Sequence, residues 1–286
     1  MVKISVILVD GSYRPHFSVI DSLAEQTFPQ DDYEVLWVEY YDKVKNELVK
    51  KVDRHPNFSI ITLNLSGIYH SSYCFNAGIL SAEGELLVIP DADVVVGPDF
   101  LESIWKAHQL NDKLVMYVFR YDEPRKPDYQ RFNHKDLENT CLLTNPSNYG
   151  GCLTVKKKNL MEINGYEQHD VFRTGGDHAN GMDVFTRFKN LGLHVMWHSD
   201  LKMYHPWHPH KIGYSEAYRL QRILIKHRAL NRRILPFQGM DSSQDEELPE
   251  ALERDLRIAR RRSRNLLFRV MRKTLSWIKY QLKSFG

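Results

Sequence analysis

Short apolar runs and longer helical periods alternate through the first third of the chain. Ile4-Ser5-Val6-Ile7-Leu8-Val9, Tyr33–Glu39, Phe58–Leu63 and Leu86–Pro90 are rich in β-branched and aromatic residues. Runs of this length and composition predict buried strands. Between them the spacing lengthens. Phe17, Ile20, Leu23 and Ala24 recur at helical spacing after the polar turn Asp10–Pro15, and the pattern ends near Gln26-Thr27-Phe28-Pro29. A charged helix is expected over roughly 42–53, and another from Ser71 to Ala82. Strands alternating with helices predict an α/β fold with a mainly parallel sheet covered on both faces. In such sheets ligands collect at the carboxyl ends of the strands.

Further along, Pro98–Trp105 begins a helix, whereas 120–147 is polar and Pro-containing and reads as a mobile loop over the site. Gly150-Gly151 turns into a strand at Cys152–Val155, and a helix over 157–163 ends at Gly165. The Gly-rich stretch 174–181 leads into a helix with Asp183 in its first turn. A strand at Leu193–Trp197 precedes the His- and Pro-rich segment 204–210. These elements predict one α/β domain over 1–214 and a helical extension over 215–286. In the extension an acidic linker, 241–250, precedes a basic amphipathic tail, 251–286.

Composition narrows the class. Hydrophobic residues at 42% and charged residues at 26% suit a soluble globular protein rather than a disordered or membrane-spanning one. The chain enters its first strand directly and lacks any apolar run of some 18 residues, so neither a secretory signal nor a membrane span is expected. Cys74, Cys141 and Cys152 are scattered without metal-type spacing and read as reduced thiols in the cytoplasm. The net charge of +3 hides an asymmetry: residues 251–286 carry +9, which leaves −6 on the body. A mildly acidic body with a basic tail is an interaction signature.

The chemistry concentrates where the fourth apolar run stops. Asp91-Ala92-Asp93 places two carboxylates at the end of a buried strand, where charge is costly without a partner. In an extended segment i and i+2 point to the same side. Such a pair suits a hard divalent cation that in turn carries phosphate oxygens; a solvated strand-end turn is the alternative.

Taken in order, these segments resemble a family 2 glycosyltransferase with the GT-A fold. The likeness runs over roughly 3–210. It rests on Ser5–Pro15 with Leu23–Pro29, on Asn76-Ala77-Gly78 through Ala82–Glu85, on Asp91-Ala92-Asp93 with Pro98–Leu101, on Gly150-Gly151 and Gly165-Tyr166, and on Gly181-Met182-Asp183 with Arg187. Three positions depart from the family pattern. Val38-Glu39-Tyr40-Tyr41-Asp42 replaces the usual Asp-Asp-Gly-Ser, Phe75 stands where many members carry Arg, and Met182 replaces Glu.

The resemblance implies a metal-dependent, inverting transfer of a hexosyl or N-acetylhexosaminyl group from a nucleotide-sugar donor to a glycan or lipid-linked acceptor. The donor half would be about 1–98 and the acceptor half about 99–214. Asp93 would hold Mn²⁺ or Mg²⁺, with Asp91 on the metal or the ribose and His205 as a further ligand; an imidazole favours Mn²⁺. His208 and His210 are weaker metal candidates, and Trp207 could stack on a sugar. Asp10, Gly11, Glu39 and Asn76 would meet the nucleotide sugar. Asp183 would be the general base, within about 3 Å of the acceptor hydroxyl, with Asp177 in reserve. Asp183 equally suits a helix N-terminus, where the dipole favours an acid.

Two other classes remain open: a sugar nucleotidyltransferase, which lacks its triphosphate loop here, and a degenerate sugar-nucleotide-binding scaffold. In the tail, Leu267, Met271, Thr274, Ile278, Leu282 and Phe285 recur at helical spacing with cations flanking them. This predicts docking on an anionic membrane surface, as in bacterial surface-glycan assembly. The alternative is packing on the body or in a homo-oligomer. No recognition motif accompanies the charge, which argues against nucleic acid.

Overall fold

The computed structural model describes residues 1–127, 132–146, 148–173, 180–209, 216–231 and 250–264. The apolar runs become β1 (Ile4–Asp10), β2 (Tyr33–Glu39), β3 (Phe58–Thr62) and β4 (Leu86–Pro90), all mutually parallel. Between them lie α1 (Ser18–Ala24), α2 (Asn46–Val52) and α3 (Ser71–Ser81). β1 and β4 are buried along their whole length because helices cover both faces. Alternation sorts their side chains. Ile4, Val6 and Leu8 join Phe17, Ile20 and Leu23 in one core, whereas Ile7 joins Leu36, Val38 and Ala77 in the other. The second core is tight: a Cβ on Gly78 of α3 would stand 2.4 Å from Ile7.

The second half completes the sheet. β5 (Val95–Val96), β6 (Leu114–Asp122), β7 (Cys152–Lys156) and β8 (His194–His205) give, among the described residues, the order β3-β2-β1-β4-β7-β6-β8-β5. β7 runs antiparallel to both neighbours, so the sheet is mixed. The expected loop over 120–147 is corrected in part. Its start belongs to β6, and α5 (His134–Thr140) follows, capped by the Asn133 side chain accepting from the Lys135 N–H. α4 (Phe100–Gln109), α6 (Lys157–Glu162) and α7 (Asn180–Leu191) pack on the sheet.

The extension packs on the body. α8 (Glu216–Asn231) and α9 (Glu250–Arg264) enclose Leu220, Leu224, Ile225, Leu252, Leu256 and Ala259 against Val171 and Phe172. The start of the expected basic tail, over 251–264, is therefore spent on protein packing, with Arg254, Arg257 and Arg261 turned outward. Leu267–Phe285 lie outside the described residues, as does most of the acidic linker. No helix among the described residues is long and apolar enough to cross a membrane.

Candidate active site

Register assembles the site. β5 pairs with β8 so that Val95 faces Tyr204, and β6 pairs with β8 so that Asp122 faces His205. The turn after β4 thereby brings Asp93 beside His205. His205 Nε2 lies 3.6 Å and His208 Nε2 3.4 Å from Asp93 Oδ2, and the two imidazoles are 3.1 Å apart. On its other edge His205 Nδ1 is 3.1 Å from Asp122 Oδ1. Asp93, His205 and His208 are the one group of three metal-ligating side chains close enough to share an ion among the described residues. Asp93 Oδ1 is buried without a hydrogen-bond partner. One carboxylate and two imidazoles in reach of one point, with a buried acceptor left over, fit a divalent metal ion.

The two acids of the turn part company. Asp91 Oδ2 accepts from Arg120 Nη1 at 2.8 Å, and its backbone N–H donates to Gly151 O at 2.8 Å. Asp93 Oδ2 instead accepts from Arg14 Nη1. Asp93 groups with His205 and His208, whereas Asp91, expected on the metal or the ribose, stands with Arg120. The physical reason is the turn at Ala92-Asp93, which breaks the extended geometry that a shared side requires. Burial raises Asp91, with Arg120 opposing it. Asp93 is held well below the usual range, because Arg14 and the two histidines overcome its burial. Burial disfavours the His205 imidazolium, but Asp122 and Asp93 prevail and push it up to about 9.

Beside this cluster opens a cavity of about 510 Å³. Its wall carries Arg14, Asp91 and Arg120, the segment Asn180, Gly181 and Met182, and the rings of Tyr13, Tyr69, Phe75, Tyr149, Tyr166 and Tyr218. Phe75 and Tyr166 stack, with centroids 4.2 Å apart and planes inclined by 17°. Gly181 is required by close approach, since a Cβ there would stand 2.2 Å from Tyr149 O. Tyr218 brings α8 of the extension into the cleft wall.

The remaining expected residues take other posts. Asp10 and Glu39 are 1% and 2% exposed at the paired ends of β1 and β2. Asp10 accepts from the Gly11 N–H at 2.8 Å, and burial lifts it to about 6 against the pull of Arg14. Glu39 accepts from Ser12, whose backbone is left-handed at φ 60°. Gly11 backs onto Tyr69, leaving Tyr13 and Tyr69 as the cleft surface there. Asn76 is wholly buried and does not line the cavity. Its amide donates to Tyr166 O and its carbonyl accepts from Tyr166 N, each at 2.8 Å.

Asp183 is also fully buried, behind the Gly181–Met182 wall. Its Oδ2 accepts from Arg187 Nη2 at 2.8 Å and Nε at 3.1 Å, and Arg187 Nη1 reaches Ile163 O. Asp177 and His210 lie outside the described residues. Trp207 donates its backbone N–H to Glu123 at 2.9 Å and does not line the cavity. Arg14, Arg120 and Asp122 escaped the sequence reading, although Arg120 and Asp122 carry the i, i+2 spacing of one strand face.

Comparison with known proteins adds the family. The model of "Glycosyl transferase family 2" matches residues 18–164. No curated protein matches the chain. Among solved structures, Staphylococcus aureus TarS 1–349 in complex with UDP is 17% identical, with a TM-score of 0.58 over 89% of this chain and 69% of that one. Its complex with UDP-GlcNAc gives the same identity and TM-score over 89% and 70%. The Pyrobaculum calidifontis mannosyltransferase PcManGT, in complex with GDP-Man and Mn²⁺, is 15% identical, with a TM-score of 0.55 over 96% and 80%. These likenesses carry the GT-A fold, and the family match runs over half of the chain, through the acid-bearing turn to the end of α6. The chain belongs to glycosyl transferase family 2 and is a glycosyltransferase.

Proposed function

We propose that this glycosyltransferase moves a hexosyl or N-acetylhexosaminyl group from a nucleotide-sugar donor to a glycan or lipid-linked acceptor, with inversion, using a divalent cation. The observation that supports it most is the Asp93, His205 and His208 set beside a cleft walled by Arg14, Asp91 and Arg120. A divalent cation held there would offset the charge of the leaving diphosphate. The neighbours' UDP, UDP-GlcNAc and GDP-Man make uridine and guanosine donors the first to test.

Asp91, held by Arg120, orients the ribose or a metal-bound water. Asp10, Gly11 and Glu39 shape the nucleoside end from behind Tyr13 and Tyr69. The stacked Phe75 and Tyr166 present an apolar face to a sugar ring. Asp183 holds Arg187 and serves as the base only if that buried pair opens toward the acceptor. Asp177, three residues before Asn180 in the sequence, is the other base in this proposal. The enzyme works at the cytoplasmic side of a membrane, docked through the basic residues beyond α9.

A second reading, a sugar-nucleotide-binding scaffold without turnover, draws support from Asp183. The cleft wall among the described residues holds no carboxylate other than Asp91. Incubation with a panel of nucleotide sugars, with Mn²⁺, Mg²⁺ or EDTA, separates the two. Metal-dependent release of nucleoside diphosphate from one donor supports transfer. Tight donor binding with no release from any of them supports the scaffold.

A further inference from the structure

Arg14 and Arg120 are the cations of the cleft wall among the described residues, and they are held very differently. Arg120 sits on β6 between two carboxylates, 2.8 Å from Asp91 and 3.0 Å from Asp122. Arg14 projects from the loop after β1. Its Nη1 lies on Asp93 Oδ2, its Nε is 4.0 Å from Asp10 and lacks a hydrogen-bond partner, and its guanidinium rests 5.0 Å from the Tyr13 ring. Asp93 Oδ2 is also the oxygen nearest His205 and His208.

A guanidinium and a divalent ion cannot both sit on that oxygen, because two cations at bonding distance from one atom repel strongly in a buried setting. Because His205 and His208 both lie against Oδ2, a cation they share with Asp93 on that oxygen takes the place of Arg14 there. The displaced side chain stays anchored by its loop, where Lys45 Nζ donates to Arg14 O at 2.6 Å. Within the cleft, its planar donor fork then needs another anion, and a diphosphate matches that geometry.

We propose that Arg14 is a transferable cation: it neutralises Asp93 until a divalent ion takes that carboxylate, then grips the donor's diphosphate. The inference rests on the reading above that Asp93 holds the ion. Arg14 would thereby couple the two ligands, weakening binding of the ion alone and strengthening binding of the nucleotide once the ion is present.

The test is Mn²⁺ titration without nucleotide, and UDP and GDP titration at saturating Mn²⁺, on wild type and Arg14→Gln. Losing the competing cation should tighten Mn²⁺ alone about tenfold and weaken the diphosphate about tenfold. Opposite signs in one variant are the signature, since a merely structural role weakens both. Where the glutamine variant does not fold, Arg14→Lys carries the test. It has the same two signs at about threefold each, an ammonium being a poorer match for either partner. Mn²⁺ affinity unchanged or weakened in the folded variant overturns the proposal. Asp93→Asn separates this failure from that of the underlying reading: if it binds Mn²⁺ as wild type does, the ion is not at Asp93 at all.

Discussion

Arg187 holds Asp183 across one turn of α7, with Nη2 2.8 Å from Oδ2 and both side chains sealed from solvent. The same guanidinium reaches Ile163 O at the end of α6, so the pair ties the helix behind the cleft wall to the segment that leads into Tyr166. Breaking a buried pair by removing one charge leaves the other uncompensated and costs about 3–5 kcal/mol. Asp183→Asn should therefore lower the urea midpoint markedly. Full stability together with abolished turnover would instead make Asp183 the base.

Asn76 makes a similar brace from the other side. Two 2.8 Å bonds to the Tyr166 backbone fix the ring on which Phe75 stacks. Asn76→Ala strands a buried N–H and a buried C=O, each costing about 1–3 kcal/mol. Denaturation should report that loss, with donor KM changed less than acceptor KM. A stable variant with only donor KM raised would put Asn76 on the nucleotide sugar.

Stability should fall in mild acid. Burial lowers His70 and His108 to about 4 each, so the folded protein keeps them neutral while the unfolded chain protonates below about 6.5. Each therefore stabilises the fold above that range, and the contribution is lost as pH falls from about 6.5 toward 4, about 2 kcal/mol apiece by pH 5. Asp10 opposes them, because a carboxyl raised to about 6 takes up a proton in the fold first. Denaturant unfolding of His108→Gln at pH 7 and pH 5 cancels the Asp10 contribution against wild type. The variant should lose less stability between the two pH values, and an equal loss would refute the assignment.

The packing of α9 decides where the basic tail can be cut without harm to the fold. Leu252, Leu256 and Ala259 belong to the core with α8, so removing residues 251–286 would injure the fold. Removing 265–286 takes away the stripe from Leu267 to Phe285 and spares that core. This truncation should keep its melting temperature and donor binding and lose binding to anionic vesicles, each Lys or Arg near the surface contributing about 1 kcal/mol. Undiminished vesicle binding would end the docking proposal.

The four parallel strands were legible because runs such as Leu86–Pro90 are apolar on both faces, a pattern that burial between helix layers demands. The acids at the sheet's end were legible for the opposite reason, as charge where charge is expensive. The nearness of His205 and His208 to Asp93 was not legible, since it depends on the register of β8 against β5 and β6, which spans residues far apart in sequence. Arg14 was hidden by lying 79 residues from Asp93. The pairing of Asp183 with Arg187 was legible, because an acid four residues before an arginine on a helix is at pairing distance.

In the proposed transfer, Asp93, His205 and His208 together hold the ion. Electron spin-echo modulation of bound Mn²⁺ reads nitrogen ligands directly. The expected result is ¹⁴N coupling from two imidazoles, one lost in His205→Gln and the other in His208→Gln, with all Mn²⁺ binding lost in Asp93→Asn. Mn²⁺ bound through oxygen alone, with a spectrum that neither histidine substitution alters, would contradict it.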